Sequence, residues 1–258
     1  ERLRKRVSKN VWSQHVRNVP QNLDDLQYRL RKHIMVRRLN EEVLSQLPPK
    51  TWHPFPLVMD AAIRTALAHP GWGKAEKLYE MDPEAFTGAI PIDDEISTAR
   101  RLLGEAKAPA VCNYIEDLLD SGIRKLVVCA WHTSVLKLLR ERLQSFGLVY
   151  MDGSTSMTAK DNAVQRFQSD ESVRVILGQM IPLGEGWTLT EAQDAVFAEF
   201  FYTPGRNDQL LDRINRIGQK GTHTIGHVPV VPGTLDERIL NTAIVKARHI
   251  YAALDKQW

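Results

Sequence analysis

The chain has 258 residues, 43% hydrophobic and 25% charged, with 15 glycines, 13 prolines and a net charge of +3. That balance excludes disordered, collagenous and coiled-coil classes and leaves an ordinary globular protein, long enough for one large or two small domains. Cys112 and Cys129, seventeen positions apart, have neither the number nor the spacing of a disulfide framework or a zinc site, so a reducing cytosolic or nuclear compartment is expected.

The charge is unevenly spread. Residues 1–50 hold twelve Lys/Arg against five Asp/Glu, and the remainder is slightly acidic. Such a basic segment suits a polyanion and equally suits a solvated helix face. The opening residues ERLRKR have no apolar stretch behind them, so no secretory signal is expected, and a chain that starts on Glu1 reads as an excised fragment. The first fifty residues read as helical and end at Pro48 and Pro49, after which 48–56 reads as a crossing between layers. Residues 57–68 return to a helical apolar pattern, Pro70-Gly-Trp-Gly73 breaks it, and an acidic loop is expected to about Glu95. Residues 96–119 suggest two helical pieces split by Pro109.

After Gly122 short apolar, β-branched runs alternate with amphipathic stretches. Strands are expected at 126–130, 148–151, 173–177, 195–200 and 224–230, with helices at 133–146, up to Phe167, and over 235–254. Strand, helix, strand in repetition predicts an α/β fold with a three-layer parallel sheet. The longest uncharged run, 221–235, is too short and too broken by Pro229 and Pro232 to span a bilayer, so no membrane association is expected.

In a parallel sheet, ligands bind beyond the carboxyl ends of the strands, and three segments there carry chemistry. Gly184, Gly186 and Thr188 form a turn in which glycines allow a phosphate close to the backbone, although Gly-x-Gly also marks plain turns. Arg213 and Arg216 within QLLDRINRIGQ, 209–219, share a face if that segment is helical. Two guanidinium forks on one face fit a phosphate, or alternatively ion pairs to Asp208 and Asp212. Asp152-Gly-Ser-Thr155 with Lys160 opens a helix that can hold a polymer's phosphate or cap itself. His132, His223 and His227 lack a third ligand at suitable spacing, so no metal site is assigned, and His223 and His227 are expected to lie well apart.

QLLDRINRIGQ resembles the arginine motif of Swi/Snf-type DNA translocases, a branch of helicase superfamily two. Asp152-Gly-Ser-Thr-Ser156, Gly184-Glu-Gly-Trp-Thr188, Val196-Phe-Ala-Glu199 with Pro204-Gly205, and Gly233-Thr-Leu-Asp-Glu-Arg238 follow the family's order and spacing. MVRRLNEEVLSQLPPK, 35–50, is similar to the segment that leaves the family's first lobe, and the wording around 196–205 is most similar to the SMARCA-like annealing helicases.

The resemblance implies a RecA-like second motor lobe over 122–258, a helical linker or insertion over 51–121, and over 1–50 a basic helical tail of the preceding lobe with its linker. It implies that Arg213 and Arg216 reach ATP held by the other lobe and that Gln209 helps place the catalytic face. Gly184 and Gly186 would couple nucleotide to track, while Asp152, Gly153, Ser154, Thr155, Lys160 and Thr188 would meet DNA. The implied partners are double-stranded or fork DNA and the protein's own N-terminal motor lobe, and the implied cofactors are ATP and Mg²⁺, held mainly by that lobe. The sequence departs from the pattern at Gln179-Met-Ile-Pro182, Tyr202, Thr203, Lys160 and Asn215, the last standing in place of a histidine.

A phosphate loop needs Gly, four residues and Gly-Lys-Ser/Thr. Gly71-Trp-Gly73-Lys74 lacks the first glycine and the hydroxyl, and Ile90-Pro-Ile-Asp-Asp-Glu95 imitates an acidic metal motif with Pro91 where a central strand would run. The fragment alone is therefore expected to be inactive as an ATPase. The readings from other classes are a non-enzymatic nucleic-acid-binding module and a free-standing dinucleotide-binding domain.

Overall fold

The computed structural model describes residues 2–8, 11–16, 22–35, 47–81, 93–201 and 203–255. The first element departs from the helix expected over residues 1–50. Strands β1 (Arg2–Ser8) and β2 (Val11–Val16) pair antiparallel as a two-stranded sheet of their own. Helix α1 (Leu23–His33) follows. Most of the 35–50 segment lies outside the described residues.

β3 (Lys50–Pro56) occupies the stretch read as a crossing. It is the edge strand of a six-stranded parallel sheet of order β3-β8-β7-β4-β6-β5. Pro54 and Pro56 disguise it, because proline removes a ladder donor and is tolerated only where one side of the strand is unpaired. Two further prolines also mislead. Pro70 begins a helix rather than breaking one: α2 (Ala61–Leu67) is followed directly by α3 (Pro70–Met81), with proline in the first turn, where a missing N–H costs nothing. Gly71, Gly73 and Lys74 thus lie within a helix. Pro109 is exposed inside a continuous 27-residue helix, α4 (Asp94–Asp120), capped by the Asp93 carboxylate. Its cost of about 3 kcal/mol is offset by buried Leu103, Ala108, Val111, Cys112, Ile115 and Leu119 on either side of it.

The regular half follows the expected alternation. β4 (Leu126–Ala130), α5 (Thr133–Leu143), a 3-10 turn (Gln144–Phe146) and β5 (Leu148–Met151) are followed by α6 (Met157–Ser169) and β6 (Val175–Gln179). Then come α7 (Met180–Gly184), β7 (Asp194–Phe197), α8 (Pro204–Leu211), β8 (Thr224–Val230) and α9 (Leu235–Asp255). β6 starts two residues later than expected because Val173 N–H bonds Asp170 O in a turn. Gly147 is required before β5: its φ is +67°, and a Cβ there would collide with the Ser172 carbonyl.

Alternation along β4 shows the layering. Val127 and Cys129 face one core with Phe167, Ile176, Phe197 and Ile214, while Leu126, Val128 and Ala130 face the other with Ile115, Leu136, Leu139 and Leu143. A third cluster joins Ile63, Trp72, Ile96 and Leu103 to Leu235 and Ile239, so α2 and α3 pack on α4 and α9. Burial pushes the Cys112 thiol up to about 11 and Cys129 well above its ordinary value. Among the described residues no helix is long and apolar enough to cross a membrane.

Candidate functional site

Two of the three segments singled out in sequence come together, but the arginine loop lies at the amino ends of β3, β7 and β8 rather than at the carboxyl ends, because α8 carries the chain back across the sheet before β8 begins. α8 ends at Leu211, so Arg213 and Arg216 lie in the turns beyond it and do not share a helix face. They converge by another route. Arg213 Nε donates to Gly184 O at 2.8 Å, and Arg216, exposed, donates from Nη1 to Trp187 O and Thr188 Oγ1 at 3.2 Å each. Leu189 N–H bonds Arg213 O at 2.8 Å. The arginine loop and the glycine segment therefore form one unit, and Gly186 supports its turn with φ +78°. No side chain crowds Gly184 or Gly186, and the Gln209 side chain is exposed on α8.

Asp208 and Asp212, the carboxylates nearest in sequence, have a basic neighbour of their own. They face Lys50 of β3, whose Nζ lies 2.7 Å from Asp212 Oδ1 and 3.8 Å from Asp208 Oδ1. Gln219 closes the loop by donating from Nε2 to Ala192 O at 2.7 Å and Ile214 O at 3.1 Å. Among the described residues no group of three or more His, Cys, Asp or Glu is placed to hold a metal ion.

The third segment, 152–155, is turned inward. Asp152 Oδ1 accepts from Ser154 N and Oγ and from Thr155 N and Oγ1, and Asp152 N donates to Thr155 Oγ1. Gly153 N is taken by Gln179 Oε1 at 2.9 Å, while Gln179 Nε2 reaches Trp131 O at 3.3 Å. The unusual Gln179 therefore ties the turn to the end of β4, which its spacing alone did not reveal. Lys160 sits half-buried one turn into α6, behind the Ser156 cap.

Hydrogen bonds from Ser154, Tyr150 and Thr155 outweigh desolvation and hold the Asp152 carboxyl down at about 2. Burial and the bond to Asp152 push the Tyr150 hydroxyl up to about 12. Asp152→Ala is expected to cost about 1–2 kcal/mol at pH 7, as for a lost cap. Because the folded value lies below the ordinary carboxylate value, this stabilisation is complete above about pH 4 and fades as pH falls towards about 2. Urea unfolding from pH 7 to pH 3 checks it: the gap between wild type and variant should narrow below pH 4.

The histidines differ from expectation in placement. His223 and His227 are not far apart in effect, since both meet buried Asp194, at 3.5 and 2.9 Å, and His227 Nδ1 meets Tyr114 Oη at 2.8 Å. Asp194 opens β7 at the amino end of the sheet, the end to which Lys50 and Pro48 also tie the arginine loop. His132 bonds Glu199, whose Oε2 accepts Trp131 N and His132 N at the start of α5.

Residues 106–218 match the family model described as helicase conserved C-terminal domain. The chain is 35% identical over 218 residues to the DNA annealing helicase and endonuclease ZRANB3 of Bos taurus, covering 83% of this chain and 20% of that protein. It is 36% identical over 218 residues to the SWI/SNF-related matrix-associated actin-dependent regulator of chromatin subfamily A-like protein 1 of Xenopus tropicalis, covering 84% and 22%. The chain thus spans about a fifth of the length of the curated relatives it matches. Among solved structures, the C-terminal part of the Fun30 ATPase domain aligns at TM-score 0.58 and 15% identity, covering 76% of this chain and 90% of that one. The Sulfolobus solfataricus SWI2/SNF2 ATPase core in complex with dsDNA aligns at 0.56 and 18%, covering 88% and 51%. The parallel sheet with its flanking helices is the RecA-like fold of a second helicase lobe.

Proposed function

We propose that this chain, a helicase C-terminal lobe of the Swi/Snf family, is the second motor lobe of an ATP-dependent double-stranded DNA translocase of the annealing-helicase kind. The observation that carries the reading is that half-buried Arg213 and exposed Arg216 both hold the glycine segment through its carbonyls, Arg213 at Gly184 O and Arg216 at Trp187 O and the Thr188 hydroxyl. Arg216 would turn from Trp187 O and Thr188 towards the terminal phosphate of ATP on a preceding lobe, where a guanidinium keeps its charge and offers two parallel donors. Arg213 would hold the glycine segment to the arginine loop, so that nucleotide state and DNA contact move together. Thr188 keeps its hydroxyl proton while accepting from Arg216, and with Lys160 it would meet the DNA backbone.

Mg²⁺, bound with ATP on the preceding lobe, would neutralise phosphate charge there. An arginine finger without a phosphate cradle does not turn over ATP. This chain alone is therefore expected to show no hydrolysis above background, while the longer natural protein containing a P-loop lobe hydrolyses ATP faster with duplex DNA. Steady-state phosphate release with and without duplex is the test. A longer protein that ignores every duplex would remove the motor reading and leave the nucleic-acid-binding module.

A further inference from the structure

The arginine loop is anchored on a strand that arrives from more than 150 residues earlier in the chain. Three contacts make the anchor. Lys50 Nζ bonds Asp212 Oδ1 at 2.7 Å with Asp208 behind it, Asn215 Nδ2 donates to Pro48 O at 3.2 Å, and Thr224 N–H bonds Pro49 O at 3.0 Å. Asp212 immediately precedes Arg213, and Asn215 immediately precedes Arg216. Asn215 Oδ1 is buried with no hydrogen-bond partner, so nothing else in the hydrogen-bond pattern explains the side chain except its hold on Pro48. Pro48 itself is buried, which fixes the carbonyl that Asn215 reaches. Beyond Lys50 the same segment continues as β3, in register with β8 from Lys50↔Thr224 to Pro56↔Val230.

The geometry points to Lys50 and Asn215 as positioning residues that clamp the arginine loop to the linker strand, so that tension on the chain before Pro48 sets the aim of Arg213 and Arg216. This deepens the motor reading and rests on it. A displacement of the linker is passed on because the strand is stiff: parallel pairing holds Lys50 to Pro56, and both prolines in it restrict the backbone further.

The test starts with this chain and no nucleotide. In Lys50→Ala and in Asn215→Ala, hydrogen exchange at the loop amides from Arg213 to Gln219 should speed up by about threefold to tenfold, while β4 and β6 exchange as before. Lys50→Arg should retain wild-type protection, and Lys50→Glu, facing two carboxylates, should lose more than alanine and be rescued by Asp212→Lys. In the whole natural protein the same alanine variants should lower kcat for DNA-stimulated ATP hydrolysis by a similar factor, with KM for ATP and duplex affinity unchanged. Unchanged loop exchange overturns the proposal. So does faster exchange with an unchanged kcat in a protein that Arg216→Ala inactivates. Absence of DNA-stimulated hydrolysis in the unmodified whole protein is a separate result, because it removes the motor reading before any variant is made.

Discussion

Arg216→Ala in the whole natural protein is expected to reduce DNA-stimulated ATP hydrolysis by about 10³-fold or more, the range in which arginine fingers act. Stability should barely change. Arg216 is exposed and its bonds to Trp187 O and Thr188 Oγ1 are long, so its loss belongs with surface substitutions worth about ±0.5 kcal/mol. Arg213→Ala should also abolish turnover, but with a different signature. Gly184 is buried, its carbonyl accepts from Arg213 Nε at 2.8 Å, and an orphaned carbonyl there costs about 1–3 kcal/mol. Arg216→Lys keeps charge and loses the fork, so only a small part of the rate should return. Steady-state hydrolysis paired with thermal unfolding separates the two arginines. An Arg216→Ala protein that keeps its DNA-stimulated rate would remove the finger assignment.

The division between the two arginines was out of reach of sequence, although the residues themselves were not. Guanidinium pairs are conspicuous by type and spacing, and the resemblance supplied their role. Their geometry depends on where α8 stops, and it stops at Leu211, so the shared helix face that the spacing assumed is absent and each side chain meets the glycine segment from a turn. The strands show the same division. β4, β5 and β8 have the bounds that their apolar, β-branched runs predict. β3, α3 and the unbroken α4 were hidden by Pro54, Pro56, Pro70 and Pro109, because proline's local cost depends on edge or helix position, which only tertiary structure decides. Lys50 was invisible as a site residue for a related reason. Its partner Asp212 lies 162 positions away, and a lysine after two prolines carries no local sign of that contact.

Glu199→Ala is expected to cost about 3 kcal/mol, lowering the midpoint of thermal unfolding by about 6–12 °C for a chain of this size. Glu199 is 7% exposed. Its carboxylate takes Trp131 N at 2.9 Å, His132 N at 2.8 Å and His132 Nδ1 at 2.6 Å, so alanine leaves two backbone donors and one ring donor without an acceptor. The negative charge also sits at the N-terminus of α5, where the helix dipole favours it. A Cβ on Gly104 would come within 2.8 Å of Glu199 Oε1, so the carboxylate has no spare room and Gly104→Ala should reproduce part of the loss. Glu199→Gln keeps one acceptor for the two backbone N–H groups and should cost about 1 kcal/mol, because only a neutral bond to His132 replaces the charge-assisted one. His132→Ala removes one of the three contacts and should fall between wild type and Glu199→Ala. The effect should also travel. Trp131 O accepts from Gln179, and Gln179 holds Gly153 N, so loosening the start of α5 should release the 152–155 turn and raise its amide exchange. Thermal unfolding of the four variants with exchange at Gly153 decides the matter: full stability in Glu199→Ala would mean that water replaces the carboxylate and that the end of β7 does not hold the turn.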